Sequence, residues 1–512
     1  MGRRRLNVLL IMADQLNPMV LPAYGGRART PAIDRLAENG AVFDAAYCNS
    51  PLCAPSRAAF MTGRLPSRTG GYDNAAPFGS DVPTFAHLMR MRGYRTTLAG
   101  KMHFAGPDQL HGFEERLTTD IYPADFGWTP DWARPERRPS WYHNMSSVAD
   151  AGTCIRTNQL DFDEEVAFTA ERAIFDAARG ADARPFCLVA SLTHPHDPFA
   201  VPRRFFDLYS DADAGLPRLG LGDVALDPHS ARLRHVSNMD VEPVSGTQVI
   251  TARRAYLGAV SFVDEIVGRL TGALEETGLA DDTVVILTSD HGEMLGERGL
   301  WYKMSFFEGS ARVPLIVHAP HHIGARRVAS AVSLVDLTPT LAGIAADGAP
   351  TEGLDEIDGR SLLPHLSGAQ GHDEAIGEYL AEGAVAPVVM IRRGDTKFIH
   401  SPVDPDQLYD LGADPYERVN LAAEPAHAAA VSALRSEIAG RWDLAALDAD
   451  VRASQRRRRL VAGALTEGAD PKWDHQPIRD ASRSYIRRYA DLDDLEARAR
   501  FPRVRAATAD AA

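Results

Sequence analysis

Cysteine is scarce in this chain. Four residues in 512 (Cys48, Cys53, Cys154 and Cys187) are too few for a disulfide framework and fit a reducing, cytoplasmic setting. Long apolar runs are also absent: nothing approaches the ~18 consecutive apolar residues of a membrane span, so no membrane partner is expected. Nor does the N-terminus read as a signal segment. Arg3-Arg4-Arg5 imitates the basic start of one, but the apolar run from Leu6 to Met12 is short, carries Asn7, and meets Asp14 where a small-residue cleavage site belongs. That run reads as a buried strand. Positive charge is in deficit: 55 Lys+Arg against 69 Asp+Glu leave a net charge of −14, which argues against nucleic acid as a partner. The basic run Arg456–Arg459 is accordingly expected to be a solvated helix face or a subunit contact. There is no internal repeat.

What is present is an ordinary globular composition, 45% hydrophobic and 24% charged, with length for roughly two to four domains. Several short apolar runs end at chemically capable residues. Val8–Met12 ends near Asp14, Tyr94–Ala99 at Gly100-Lys101-Met102-His103, Phe186–Leu192 at Thr193-His194-Pro195-His196, and Thr283–Ser289 at Asp290-His291. Runs of this kind, separated by helical stretches, predict an α/β fold with a mostly parallel sheet buried on both faces. Such sheets bind ligands beyond the carboxyl ends of their strands, so these four ends are candidates for one site. Leu257, Val260, Val263, Val267, Leu270 and Leu274 recur at helical spacing before a stop at Gly278. Pro55 to Met61 reads as a helix start, with Gly63 as its stop.

The character changes near Glu378. Short antiparallel strands are expected around 388–391, 397–399 and 407–411, and an Ala- and Arg-rich helical stretch follows. The chain is thus divided into a catalytic α/β domain (1–375), a small antiparallel-sheet subdomain (376–423), and a helical segment with an oligomerisation tail (424–512).

The most specific signal is the run Cys53-Ala54-Pro55-Ser56-Arg57-Ala58-Ala59-Phe60-Met61-Thr62-Gly63-Arg64. It resembles the sulfatase signature, Cys-x-Pro-Ser-Arg followed by Thr-Gly-Arg. The resemblance implies an alkaline-phosphatase-like fold with a smaller C-terminal α+β subdomain. It implies that a formylglycine-generating enzyme converts Cys53 to formylglycine, whose hydrate attacks the sulfate ester. Cys53 sits just before the helix start, where free N–H groups favour anions, and Arg57, one turn later, faces the same side. Its guanidinium can hold sulfate oxygens.

A divalent cation is also implied, Ca²⁺ ahead of Mn²⁺ or Mg²⁺, at Asp14, Gln15, Cys53, Asp290 and His291. Many sulfatases carry two consecutive Asp at the first position and Asp-Asn at the second. This chain departs with Asp14-Gln15 and Asp290-His291, and the added nitrogen makes Mn²⁺ more plausible beside Ca²⁺. In the family pattern Lys101 bridges sulfate and nucleophile, and His103 assists proton transfer from the hydrate. His196 in Pro-His-x-Pro or Lys303 in Trp301-Tyr302-Lys303-Met304 protonates the leaving alcohol. His194 is the poorer match and reads as structural.

Further blocks narrow the resemblance to choline sulfatases: Gly100 to Phe113, Asp120 to Pro130, Trp301 to Arg312, and the tail Trp473-Asp474-His475-Gln476-Pro477. They imply hydrolysis of choline O-sulfate. Trp128, Trp132, Trp141 and Tyr142 crowd into residues 128–142, and His143 follows. A quaternary ammonium offers no hydrogen bond, so aromatic faces with acids nearby are its natural partners. Within the resemblance Trp128, His143 and Glu382 fall at choline-pocket positions, Asn74 touches sulfate, and Asp493 in the tail reaches the site of a neighbouring subunit in a homo-oligomer. The competing expectations are a phosphonate monoester or phosphodiester hydrolase, another alkyl or aryl sulfatase, and a catalytically inactive choline- or anion-binding protein that keeps Cys53 as cysteine.

Overall fold

The computed structural model describes residues 5–346, 356–467 and Trp473. Strand Asn7–Ala13 (β1) is buried along its whole length. A strand with no polar face needs cover on both sides, and β1 lies inside a nine-stranded sheet. The other principal strands are Ala41–Tyr47 (β2), Arg95–Gly100 (β3), Phe186–Ser191 (β4), Thr283–Ser289 (β5), Leu315–His318 (β6) and Arg326–Ser333 (β7). Their order is β7-β2-β6-β5-β1-β4-β3, with the short strand Glu115–Arg116 beyond β3 and Arg312–Val313 paired to β2. β1 is parallel to β4 and β5, β3 to β4, and β7 to β2, whereas β6 runs antiparallel to both of its neighbours. The register pairs Ala13 with Ser289, Met12 with Ser191 and Gly100 with Ser191. The carboxyl ends of β1, β3, β4 and β5 therefore open at one edge.

Helices cover the sheet. Cys53–Thr62 (α1) is buried throughout and stops at Gly63, whose φ of 68° is left-handed. Asn158–Arg179 (α2) and Gly246–Glu276 (α3) are longer. The apolar spacing from Leu257 to Leu274 marks only the later part of α3. Its start is set by Ser245 and Gln248, which cap each other's backbone N–H groups.

Ala375–Tyr379 (β8), Val388–Arg393 (β9), Thr396–Ser401 (β10) and Asp404–Asp410 (β11) form an antiparallel sheet in chain order. Helix Ala428–Arg441 (α4) packs on it, burying Val389, Ile391, Phe398, Leu408, Val431 and Ile438 in a core of their own. Helix Leu444–Leu465 (α5) follows. It contains the basic run, and here the structure departs from expectation: Arg456 and Arg457 are exposed, but Arg458 is buried against Asp73. No described helix is long and apolar enough to cross a membrane.

The small sheet meets the large one through a charged joint. Lys397 Nζ on β10 lies 2.6 Å from Glu308 Oε1 and 2.7 Å from Glu417 Oε1, and donates to Phe306 O at 2.8 Å. All three charged groups are buried, and Tyr47 OH of β2 also donates to Glu308. Removing one member of a buried ion cluster strands the others. Lys397→Ala is therefore expected to lower stability by about 3–5 kcal/mol, read as a shift of the urea midpoint. A change below about 1 kcal/mol would show that the joint does not hold the sheets.

Candidate active site

The site is assembled where the strands end. Asp14 follows β1, Lys101 follows β3, His194 and His196 follow β4, and Asp290 and His291 follow β5. Backbone bonds continue past the strands and fix these turns: Asp290 N donates to Ala13 O, Leu192 N to Met12 O, and Asp14 N to His194 O. Gly100 has φ 106°, and a Cβ there would stand 1.9 Å from Ser191 O. Only glycine lets β3 deliver Lys101 this close to β4.

Helix α1 brings Cys53 and Arg57 to the same place. Cys53 is its first residue, and Ala54 N donates to Asn74 Oδ1 at 3.0 Å in place of a side-chain cap. Arg57 is fully buried. Its Nε donates to Asp290 Oδ2 at 2.8 Å and its Nη2 to Asp14 Oδ2 at 3.2 Å; its Nη1 bonds Ser191 Oγ at 2.8 Å and Lys101 O at 2.6 Å. Lys101 Nζ makes a close ion pair with Asp14 Oδ2. Burial and the Cys53 thiol oppose the charge of Asp14, yet Lys101, His196 and Arg57 hold its carboxyl below the usual carboxylate range.

Asp14, Cys53, Asp290 and His291 each offer a ligand atom, all within 4.8 Å of one another. His291 Nε2 lies 3.3 Å from Cys53 Sγ and 3.7 Å from both Asp14 Oδ1 and Asp290 Oδ1. Two carboxylates and an imidazole converging on position 53 fit one divalent cation. Gln15 sits beside this cluster: its backbone N–H donates to Asp290 Oδ1, and its side-chain Oε1 accepts from Lys303 Nζ at 2.6 Å.

Lys303 Nζ also lies 2.8 Å from His196 Nε2, so the two groups proposed from the sequence to serve the leaving group share one contact. Burial and Lys303 oppose a proton on His196, but Asp197 and Asp14 outweigh them and raise its pKa. His194 is turned elsewhere: its Nδ1 pairs with Asp163 Oδ2 at 2.6 Å and its ring packs on Phe262, a structural role.

The backbone is left-handed at Gln15, His103, Tyr302 and Met304, with φ between 56° and 76°. Such positions in side-chain-bearing residues are uncommon and gather at functional sites. Here they flank or carry residues proposed from sequence. His103 is held by Asp120, whose Oδ2 accepts from both Met102 N and His103 N at 2.9 Å. Both ring nitrogens of His103 are buried without a hydrogen-bond partner.

A cavity of about 420 Å³ opens over these groups. Cys53, Asn74, His103, His196 and Lys303 line its floor; Tyr122, Trp128, Trp141, Tyr142 and His143 form its aromatic side. Trp128 stacks on Trp141 at 6.0 Å and meets the ring of His103 edge-on at 5.7 Å. His143 stacks on Tyr302 at 4.3 Å and approaches Asp197 Oδ2 at 3.4 Å. Trp132 is different: it is buried with Nε1 donating to Ala381 O, away from the lining. Glu382 is buried too, with both carboxylate oxygens unpartnered. Burial, reinforced by Asp73, pushes its pKa up to about 8. Asp493 lies outside the described residues.

Sequence reasoning missed several members. Tyr122 covers Lys101 Nζ at 4.2 Å from its ring centre. Asp197 ties together His143, His196 and Ser147, and its place beside His196 was the available signal. Glu293 accepts from Leu295 N and Tyr302 N and is pushed up by burial to about 7. Nothing in its local sequence separates it from a surface glutamate.

Comparisons with known proteins find relatives along most of the chain. The family described as "Sulfatase" matches residues 6–347, and "Choline sulfatase enzyme C terminal" matches residues 449–501. The chain is 48% identical to the "Choline-sulfatase" of Rhizobium meliloti strain 1021, over 97% of this chain and 98% of that relative. It is 29% identical to "Arylsulfatase K" of Xenopus laevis, over 82% and 79% of the two chains. Among solved structures, the phosphonate monoester hydrolase of Agrobacterium radiobacter superposes with a TM-score of 0.69 at 26% identity, covering 88% of this chain and 96% of that one.

The unmodified thiol provides a direct check of the site's field. Burial opposes ionisation of Cys53, but Lys101, Lys303 and His291 outweigh it and hold the thiol well below its ordinary range. In metal-free protein with Cys53 left as cysteine, the thiolate absorbance that disappears in Cys53→Ser is expected to persist at pH 7. An ordinary thiol would show that absorbance only above about pH 8.

Proposed function

We propose, because the chain belongs to the sulfatase family, that it hydrolyses choline O-sulfate to choline and inorganic sulfate. The enzyme is a sulfuric ester hydrolase, and sulfate-ester hydrolysis is its reaction. The choice of alcohol rests on one observation above the others. Glu382 is a buried carboxylate with no partner, close enough to Tyr142 of the cavity wall to raise that hydroxyl further than burial alone does. An unpaired buried carboxylate is costly unless a cation completes it. A trimethylammonium group, which has no N–H to donate and prefers aromatic faces, suits Glu382 with Trp128, Trp141 and Tyr142.

In this reading Cys53 is matured to formylglycine by a formylglycine-generating enzyme, and Asp14, Asp290 and His291 hold one divalent cation, Ca²⁺ ahead of Mn²⁺, with Gln15 beside them. Formylglycine would supply an aldehyde whose hydrate is the oxygen nucleophile, a group no encoded side chain carries, and the cation would supply positive charge at the sulfate. The other tasks fall to the chain. Arg57 and Lys101 fix the position of residue 53 and meet sulfate oxygens. Asn74 accepts from Ala54 N through its Oδ1, which leaves its amide NH₂ to donate into the cavity. His196 and Lys303 share a proton 2.8 Å apart and deliver it to the leaving alkoxide, a poor leaving group without it. His103, its ring nitrogens free, takes a proton at position 53. Assembly into a homo-oligomer through the tail belongs to the same reading.

The deciding experiment compares choline O-sulfate, p-nitrophenyl sulfate and an aryl phosphonate, with peptide mass over Cys53. A choline sulfate preference with Cys53 converted to formylglycine is expected. A preference for the phosphonate, the reading that the fold likeness to a phosphonate monoester hydrolase favours, would overturn the proposal.

The acid at 382 gives a pH test. Glu382 is protonated below about 8 in the empty site and offers no countercharge there. Ionisation above that value creates one, so choline affinity should rise with pH through this range. Glu382→Gln should raise KM for choline O-sulfate by about 10- to 100-fold and abolish the pH dependence of choline binding, seen as tryptophan quenching. An unchanged KM would remove Glu382 from the cation pocket.

A further inference from the structure

Arg458 is the buried member of the basic run in α5, beside a part-buried Arg459 that pairs with Asp131. The Arg458 side chain is 4% exposed, and its Nε is steadied by Ser454 Oγ at 3.1 Å. Nη1 and Nη2 each meet one oxygen of Asp73 at 2.7 Å, a two-pronged contact, and Nη1 also reaches Thr129 Oγ1 at 3.0 Å. Asp73 and Thr129 stand next to Asn74 and Trp128. One guanidinium therefore joins the loop on the sulfate side of the cavity to the loop on its aromatic side.

The rest of α5 grips the same region. Gln455 Oε1 accepts from Trp132 N at 2.9 Å, and Arg452 donates to Trp132 O at 3.1 Å and to Val385 O at 2.6 Å. Val385 lies three residues beyond Glu382. Charge adds a second connection: Asp73 and Arg458 act on the Glu382 carboxylate with opposite sign. Without Arg458, the wholly buried Asp73 would lose its ion-pair partner.

We propose that Arg458 is a positioning residue for the cationic end of the substrate: its fork on Asp73 and Thr129 sets the distance between Asn74 and Trp128 and offsets the Asp73 charge beside Glu382. Arg458 touches no substrate in this role; it sets the place of groups that do. The inference rests on the quaternary-ammonium reading above. It predicts that Arg458 governs which alcohol is accepted more than how fast sulfate is released. A fork cannot be replaced by a point charge, so lysine is not an equivalent.

The test measures kcat and KM of the full-length, formylglycine-bearing enzyme on choline O-sulfate and p-nitrophenyl sulfate. The variants are Arg458→Lys, Arg458→Gln and the pair Asp73→Asn/Arg458→Gln. Arg458→Gln should raise KM for choline O-sulfate about tenfold or more while changing kcat/KM for p-nitrophenyl sulfate by less than about threefold. Adding Asp73→Asn should recover part of that loss by removing the uncompensated charge. Arg458→Lys, the variant best able to fold, should still weaken choline O-sulfate selectively. Equal losses on both substrates, or a double variant no better than Arg458→Gln, would overturn the role. A wild-type enzyme with no preference for choline O-sulfate would overturn the substrate reading itself; a wild-type preference that all three variants retain would overturn only the role of Arg458.

Discussion

The guanidinium of Arg57 meets Asp290 at 2.8 Å and Asp14 at 3.2 Å, and every one of these groups is buried. Two carboxylates from neighbouring strand ends would repel each other in a medium of low dielectric. Arg57 lies between them, and its Nη1 binds Ser191 and the carbonyl of Lys101. One side chain thus connects the ends of β1, β3, β4 and β5 to α1. Arg57, with Lys101 paired to Asp14 from the end of β3, offsets that repulsion. The same contacts orient α1, so that the first residue of the helix, Cys53, faces His291 and Asp14.

Much of this was legible in the sequence because the signals are local. Apolar runs ending in Asp, Lys or His give parallel strands and place their terminal residues at a common edge. The Cys53 to Arg64 run combines a helix start, a helix stop at Gly63 and a four-residue spacing from Cys53 to Arg57. Each follows from backbone geometry, and the structure has all three. His194 and His196, two residues apart after one strand, separate by partner: Asp163 captures the first, and the second faces Lys303.

The illegible part is held by contacts between distant segments. Asp73 with Arg458, Tyr122 over Lys101, and Glu293 beneath Tyr302 join loops whose sequences show no periodicity or motif. Arg458 shows why the charge rule failed. A run of arginines is most simply solvated, but α5 carries four in succession, and consecutive helix positions point about 100° apart. One of them must turn toward the protein, and Asp73 receives it. Trp132 failed in the opposite sense. It belongs by sequence to the aromatic cluster, yet its indole N–H finds Ala381 O and anchors the turn that leads to Glu382.

The pocket has two electrostatic halves. Around residue 53 the cations Lys101, Arg57 and Lys303 stand with Asp14 and Asp290, a balance that favours the single negative charge of a sulfate monoester. Around Glu382 a second acid, Asp73, disfavours its charge, while Lys303 and Arg458 favour it, and Arg458 also pairs with Asp73 directly. A small zwitterion with sulfate at one end and a fixed cation at the other would satisfy both halves together. The sulfate ester of an uncharged alcohol would satisfy one half and leave Glu382 protonated, as burial already makes it. Selectivity then needs no hydrogen bond to the alcohol. It follows from the cost of leaving a buried acid without its charge partner, a cost that depends on how firmly α5 holds Asp73 and the Trp128 loop in place.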